Sequence, residues 1–126
     1  MTQEDKDLLL IDLCARLPYE VKVNEAIQGD FTLIGLTKER VFTTCEVEGC
    51  FNDFPIELIK PYLYPLSSMS DEQLPYYITT LKYSEETRGM VETPNSFDWL
   101  NKNHFDYRGL IEKGLAIDAT ELVFIK

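Results

Sequence analysis

The chain has 126 residues, of which 44% are hydrophobic and 27% charged, and its formal net charge is -10 at pH 7. This length suits a single domain over residues 1–126, because two smaller cores would bury too little surface to be stable. The acidic charge and the scattered Lys and Arg side chains disfavour direct contact with nucleic acid, which requires clustered basic groups. The apolar run Leu8-Leu9-Leu10-Ile11 is far shorter than a membrane span, so no membrane association is expected.

Three cysteines, Cys14, Cys45 and Cys50, are too few and too irregularly spaced for a disulfide framework. A bridge between Cys45 and Cys50 across a hairpin is geometrically conceivable, but we expect reduced thiols. Cys14 lies on the apolar side of a predicted helix and is expected to be a small buried hydrophobe. The acidic amino terminus is unlike a signal or transit peptide. Together these features predict a cytoplasmic protein.

Helical spacing characterises the first predicted element. Thr2 followed by Asp5 is typical of a helix start, because a hydroxyl can cap free amides and the helix dipole favours acids there. Pro18 ends the pattern, so a helix is predicted over residues 3–16. Apolar residues recur at helical spacing within and just after it, at Leu9, Leu10, Leu13, Cys14 and Leu17.

The following residues change to a two-residue period. Tyr19, Val21 and Val23 alternate with polar residues, which predicts a half-buried strand. Two more strands are predicted over 31–36 and 41–47, and a fourth within 51–59, where Pro55 confines part of it to a sheet edge. A spacing of about ten residues per strand favours an antiparallel meander that curls strongly.

The second half alternates short helices with extended segments. Residues 60–68 are predicted to be an extended connection laid against the core, because each proline biases its predecessor away from helix. Ser70 and Gln73 form a capping pair for a helix to about Lys82, with Pro75 in its first turn or after a separate turn. The remaining predicted elements are a strand over 90–92, a helix from Ser96 to about Lys102, a helix capped by Asp106 and stopped by Gly114, and a strand over 121–125.

These elements predict an α+β domain. It has an N-terminal helix, a curled antiparallel sheet or small barrel of four or five strands, and short C-terminal helices packed over the sheet.

Candidate binding residues cluster in residues 97–111, which hold the single Trp and the single His. They are Trp99, His104, Asp106, Tyr107 and Arg108. A carboxylate that orients an imidazole can act as a general base, but no Ser, Thr or Cys lies beside His104 and Asp106. We therefore predict no catalytic residue and no enzymatic activity. The structural alternatives are that Asp106 caps a helix and that the aromatic rings close the core.

No metal ion or cofactor is predicted. Cys45, Cys50 and His104 form a conceivable triplet of ligands, but their spacing is loose and no second Cys or His pair completes it. A calcium loop, a glycine-rich phosphate loop, a nucleophile elbow and a dinucleotide fingerprint are all missing from the sequence.

Three segments together resemble small acidic proteins encoded by gut anaerobic bacteria and their phages and prophages. They are residues 104–118 (HFDYRGLIEKGLAID), 59–67 (IKPYLYPLS) and 17–22 (LPYEVK). The resemblance implies a mobile-element origin and an intracellular setting. It implies no activity and assigns no functional residue, because that family is uncharacterised. The matching residues are mostly Gly, Pro and apolar types, which favours a shared fold over a shared active site.

The sequence leads to three hypotheses of function. The first is a non-enzymatic protein–protein interaction module of phage or prophage origin, acting on a protein partner in the host cytoplasm. The second is a small-ligand binder or enzyme that uses the region of His104, Asp106 and Tyr107. The third is an acidic DNA mimic that inhibits a nucleic-acid-binding protein, which requires carboxylates aligned on one face.

Overall fold

A long N-terminal helix packs against a mixed β-sheet in the computed structural model, which describes residues 1–45 and 50–121. The α-helices are α1 (Gln3–Arg16), α2 (Leu74–Thr79) and α3 (Pro94–Lys102). Short 3-10 turns cover Leu17–Tyr19, Ile56–Leu58, Leu66–Ser68 and Ala119–Glu121. The strands are β1 (Lys22–Glu25), β2 (Gly29–Leu36), β3 (Arg40–Thr44), β4 (Phe51–Pro55), β5 (Ile59–Pro65), β6 (Lys82–Ser84), β7 (Gly89–Val91), β8 (Phe105–Asp106) and β9 (Ile117–Asp118).

The main sheet has the order β4-β3-β2-β1-β5-β8, with β9 also paired to β5. Strands β1 to β5 pair antiparallel, whereas β8 and β9 join β5 in parallel. The predicted α+β class is confirmed. The finer prediction was a curled antiparallel sheet or small barrel of four or five strands. Strands β1 to β5 do form an antiparallel sheet, but β8 and β9 add to it in parallel, and the resulting seven-stranded mixed sheet is not closed into a barrel.

Strand β5 explains this difference. Residues 60–68 were expected to be an extended connection, but residues 59–65 form an interior strand that pairs with β1, β8 and β9. Pairing with β9 starts at Tyr62, directly after Pro61, which has no N–H to donate. Strands β8 and β9 have two residues each, so neither leaves a periodic signal in the sequence.

The core lies between α1 and the inner face of the sheet. Alternation along β2 and β3 sends Phe31, Leu33 and Val41 inward, as the two-residue period predicts. The buried cluster consists of Leu9, Leu13, Val21, Val23, Phe31, Leu33, Val41, Phe54, Ile56, Ile59, Leu63, Leu110, Leu115 and Ala116. Cys14 was expected in this core and is instead exposed, because the inward stripe of α1 runs through Leu9, Leu13 and Arg16.

Local capping chemistry determines where the helices begin. Thr2 accepts a hydrogen bond from the Asp5 N–H, so α1 starts where it was predicted to start. Ser70 and Gln73 form the expected reciprocal pair ahead of α2. Helix α3 begins earlier than predicted, because Thr93 is its N-cap and Ser96 is the third helical residue of a capping box.

Two helix predictions were too long. Helix α2 was predicted to continue to about Lys82, but it ends at Thr79, and Lys82 is the first residue of β6. Asp106 does bond the backbone N–H groups of Leu110 and Ile111, but only turns follow it. The predicted strand over 121–125 and the end of the one over 41–47 extend beyond the described residues.

A disulfide joins Cys45 and Cys50, so the expectation of reduced thiols at these positions is wrong. Antiparallel pairing of β3 with β4 matches Thr44 to Phe51 and brings the two cysteine Cα atoms to 5.6 Å. That separation lies within the range that a disulfide spans.

A buried ionic network attaches α1 to the C-terminal part of the chain. Asp12 and Arg16 are both 0% exposed, and Arg16 Nε donates to Asp12 Oδ2 at 2.9 Å. Arg108 Nη1 donates to the other Asp12 oxygen at 2.7 Å. Arg16 Nη2 donates to the Phe105 carbonyl at 2.6 Å. One carboxylate therefore holds two guanidinium groups, which in turn position the start of β8 and the residues after it.

We expect Asp12→Ala to lower the free energy of unfolding by about 3–5 kcal/mol, because it leaves two guanidinium groups without their carboxylate. Asp12→Asn retains the shape and one acceptor oxygen, so its loss should be smaller. Asp7→Ala on the exposed side of α1 is the matched control and should change stability by less than about 0.5 kcal/mol. Urea unfolding measures all three. Equal small losses for Asp12→Ala and Asp7→Ala would contradict the role given to the network.

Candidate functional site

A row of aromatic rings connects α2, α3, β8 and β5. The Trp99 ring centroid lies 5.7 Å from that of Tyr77 and 5.6 Å from that of Phe105, and it stacks on Phe105. Tyr64 continues the row at 6.4 Å from Phe105. Trp99 is partly buried between its two neighbours. This candidate binding residue therefore packs α2 against the sheet.

Two of the candidate binding residues, Tyr107 and Arg108, contact each other. The Arg108 guanidinium carbon lies 4.4 Å from the Tyr107 ring centroid, and that of Arg16 lies 5.8 Å from it. The Tyr107 hydroxyl donates to Asn101 at 3.1 Å. Cation–π attraction and this hydrogen bond hold the ring, so Tyr107 extends the buried ionic network towards the surface.

Asp106 does not orient His104. Its two carboxylate oxygens accept the N–H groups of Leu110 and Ile111, both at 2.9 Å. His104 has a left-handed backbone, with φ at 60°, which redirects the chain just before β8 begins. Two residues apart in a regular strand would share a face, but this turn separates the two side chains. The general-base pair considered from the sequence is therefore not assembled in the described part of the chain.

His104 is held in place mainly through its backbone. Its N–H donates to the Asn101 carbonyl at 3.1 Å, and its carbonyl accepts from the Tyr64 N–H at 2.8 Å. Imidazole Nδ1 is buried and has no hydrogen-bond partner among the described residues. Burial lowers the pKa of His104, and the nearby Arg16 charge lowers it further, although the Tyr19 backbone acts in the opposite direction. The imidazole is therefore neutral at pH 7.

Two clefts meet at His104 and Tyr64. The larger, of about 450 Å³, runs towards Lys102 and Gln73, and the smaller, of about 320 Å³, runs towards Lys22. Lys102 lies at the end of α3 and forms no ion pair with any described residue. The larger cleft therefore combines an aromatic wall, formed by Tyr64 and Phe105, with the neutral imidazole of His104 and the Lys102 ammonium group, which is available to an anion.

A further exposed apolar surface lies on residues 70–93, which we call the arm. It comprises α2 and the β6–β7 hairpin, and none of its residues is buried. The sequence analysis predicted a helix over part of this segment but did not identify an exposed apolar surface on it. In the structure Ile78 is exposed, and so are Tyr76 and Tyr83, at 69% and 58%.

The arm is attached to α3 by hydroxyl groups and by one ring contact. The Thr80 carbonyl accepts hydrogen bonds from Thr93 Oγ1 at 2.8 Å and from Ser96 Oγ at 2.9 Å. Within the arm, the Tyr77 hydroxyl donates to Glu92 at 2.7 Å, and burial together with this bond raises the pKa of Tyr77 to about 12. Tyr77 thus faces inward, whereas its neighbours on α2 face outward.

The weighed metal triplet does not assemble, because both Cys45 and Cys50 sulfurs are in the disulfide. Among residues 1–45 and 50–121, no group of three or more His, Cys, Asp or Glu side chains is arranged to hold a metal ion. Within the same ranges, no helix has the length and hydropathy needed to cross a bilayer.

No protein-family model, curated protein or solved structure matches the chain. The similarity of three segments to proteins of gut anaerobes and their phages therefore stays a prediction. The functional argument rests on the geometry of the arm and of the two clefts.

We expect stability to fall as the pH drops below the ordinary His value of 6.5, because folding lowers the pKa of His104. The unfolded chain then takes up a proton that the folded protein binds more weakly, so the free energy of unfolding decreases. Replacing His104→Asn removes this contribution, and Asn tolerates the left-handed backbone. Urea unfolding at about pH 7.5 and about pH 5.5 should show a smaller pH effect in the variant. Equal pH effects in both proteins would contradict the prediction.

Proposed function

We propose that this chain is a protein–protein interaction module and that the arm is its contact surface. The observation that supports this proposal is that several large apolar side chains of residues 70–93 are exposed and that no residue of this segment is buried. The exposed set on the arm is Leu74, Tyr76, Ile78, Tyr83 and Met90.

Two of these residues form a defined apolar pair. Tyr83 and Met90 lie directly opposite each other across the β6–β7 hairpin, so their side chains share one face. Tyr and Met are enriched in the cores of protein interfaces, where they supply contact area. Elsewhere, Ile11 on α1 and Ile27 between β1 and β2 are isolated, whereas exposed Ile34, Phe42 and Phe51 lie on the neighbouring strands β2, β3 and β4. The arm differs from that sheet face because none of its residues is buried, so its apolar side chains do not belong to the core. Single exposed apolar residues are ordinary, whereas a grouped set favours an interaction surface.

The arrangement of the catalytic candidates favours binding over catalysis as the proposal. Both carboxylate oxygens of Asp106 accept backbone N–H groups. Imidazole Nδ1 of His104 has no hydrogen-bond partner among the described residues, so no carboxylate orients the ring through that atom. The phage or prophage origin in the proposal comes from the sequence resemblance alone. The host cytoplasm comes from that resemblance and from the acidic amino terminus, whereas the Cys45–Cys50 disulfide removes the support that reduced thiols would have given it.

Site-specific photocrosslinking tests the proposal. Benzoylphenylalanine in place of Tyr83 should give a discrete covalent adduct with another protein in cells that make the chain, because this face is the contact surface. The same probe in place of Phe51 is the control. Phe51 is 73% exposed, but it lies on β4, an edge strand of the main sheet, and not on the separate β6–β7 sheet that carries Tyr83. No adduct from position 83, or equal adducts from both positions, would overturn the proposal.

A second candidate function is the binding of a small anionic aromatic compound in the clefts at His104. The observation that favours it is the meeting of two clefts at His104 and Tyr64, with the unpaired Lys102 at one end. A planar ring could pack on the aromatic wall while its anionic group pairs with the ammonium.

Screening aromatic carboxylates by NMR tests this candidate. A bound compound should shift the amide signals around His104, and Lys102→Ala should weaken its binding by about five- to tenfold through loss of the charge pair. Lys113→Ala is the matched control, because this exposed lysine lies outside both clefts. Binding that is lost equally in both variants, or no binding by any compound, would count against a ligand site here.

A further inference from the structure

The charge around the arm points to the chemistry of its partner. We propose that the arm binds a basic amphipathic protein segment, one whose apolar side chains are flanked by Lys or Arg. This inference rests on the proposed function and goes beyond it by naming the class of partner.

The arm and the start of α3 carry an excess of carboxylates. Residues 70–98 contain six acidic and two basic residues, which gives this stretch a net charge of -4. All six acidic residues are exposed. They are Asp71, Glu72, Glu85, Glu86, Glu92 and Asp98.

These carboxylates lie close to the apolar side chains. Glu85 and Glu86 occupy the turn after β6, so Glu85 is two residues, or about 7 Å along an extended strand, from Tyr83. At the other end of the arm, Glu72 lies two residues before Leu74, the first residue of α2. The excess of carboxylates therefore lies beside α2 and at the start of α3, whereas the hairpin itself carries two acidic and two basic residues.

The acidic groups of the arm form no ion pair with any described residue. The ion pairs within 1–45 and 50–121 involve the carboxylates of Asp12, Asp53 and Glu57, all outside the arm. Lys82 and Arg88 of the hairpin are also outside these pairs. Unpaired carboxylates of like sign repel each other, and a basic partner would relieve that repulsion while the apolar faces come together.

The same charges disfavour other macromolecules. Phosphate groups of nucleic acids and anionic headgroups of membranes are repelled by an acidic border. A neutral apolar partner would gain nothing from the carboxylates. A protein segment with alternating basic and apolar positions satisfies both parts of the surface.

Two synthetic peptides of about 16 residues test the inference, one a Leu/Lys amphipathic helix and the other a Leu/Glu helix with the same apolar pattern. Calorimetry with the full chain should show that the Leu/Lys peptide binds at least about tenfold more tightly at low salt. Raising NaCl from roughly 20 to roughly 300 mM should reduce this ratio, because salt screens the exposed charges. NMR should place the shifted amides on the arm.

A matched pair of triple variants separates the arm from the overall charge. Each removes three exposed carboxylates and takes the formal net charge from -10 to -7. The arm variant is Glu72→Gln, Glu85→Gln and Glu86→Gln. The control variant is Glu4→Gln, Glu39→Gln and Glu112→Gln. The arm variant should weaken binding of the Leu/Lys peptide by about tenfold, and the control by less than about twofold.

The outcomes distinguish the two proposals. Equal binding of the two peptides, no binding of the Leu/Lys peptide, or equal losses in the two triple variants would overturn the inference about a basic partner. The interaction module itself would still stand if the probe at Tyr83 gives its discrete adduct. Without that adduct, tight peptide binding would show only that the acidic surface attracts cations, and both proposals would fall.

Discussion

The buried carboxylate of Asp12 is the interaction on which the rest of the structure depends. It pairs with Arg16 on its own helix and with Arg108, 96 residues later in the chain. Burying these charges is costly unless they are matched, and the Phe105 carbonyl provides a further acceptor for Arg16. Arg16 Nη1 is buried and has no hydrogen-bond partner among the described residues. The network therefore specifies how α1 meets β8 and the residues after it, where an apolar contact alone would permit sliding. Tyr107, packed against Arg108, is positioned as a consequence.

The arm is attached by other interactions than the buried ionic network of Asp12. Hydroxyl groups around Thr80 and the contact of Tyr77 with Trp99 attach it, and no residue within it is buried. Its apolar side chains thus add little to the core, which explains why a surface for a partner can exist without weakening the fold. The larger cleft at His104 reaches Gln73 of the arm, so the two candidate sites adjoin each other.

Local signals were predictable wherever the chemistry is short-range. The cap at Thr2, the start of α1, the alternation in β2 and β3 and the left-handed Gly114 all follow from neighbouring residues. The site was predictable only in part. The segment around His104 was identified as a candidate, and the interpretation of Asp106 as a backbone cap agrees with its bonds to the Leu110 and Ile111 N–H groups. The left-handed turn at His104 was not predicted. The Asp12–Arg16 spacing resembles an ordinary surface helix pair, and nothing in the sequence marks it as buried.

By itself the sequence determined the class of protein, an acidic α+β domain with an N-terminal helix and a β-rich first half. It did so because propensity, capping and periodicity act over a few residues. Only the tertiary structure decided that residues 59–65 form an interior strand, that β8 and β9 join it in parallel, and that the arm faces outward. Those outcomes depend on contacts between residues that are distant in the sequence. A two-residue strand is defined only by the strand it pairs with, and the exposure of Ile78 depends on which elements pack against α2.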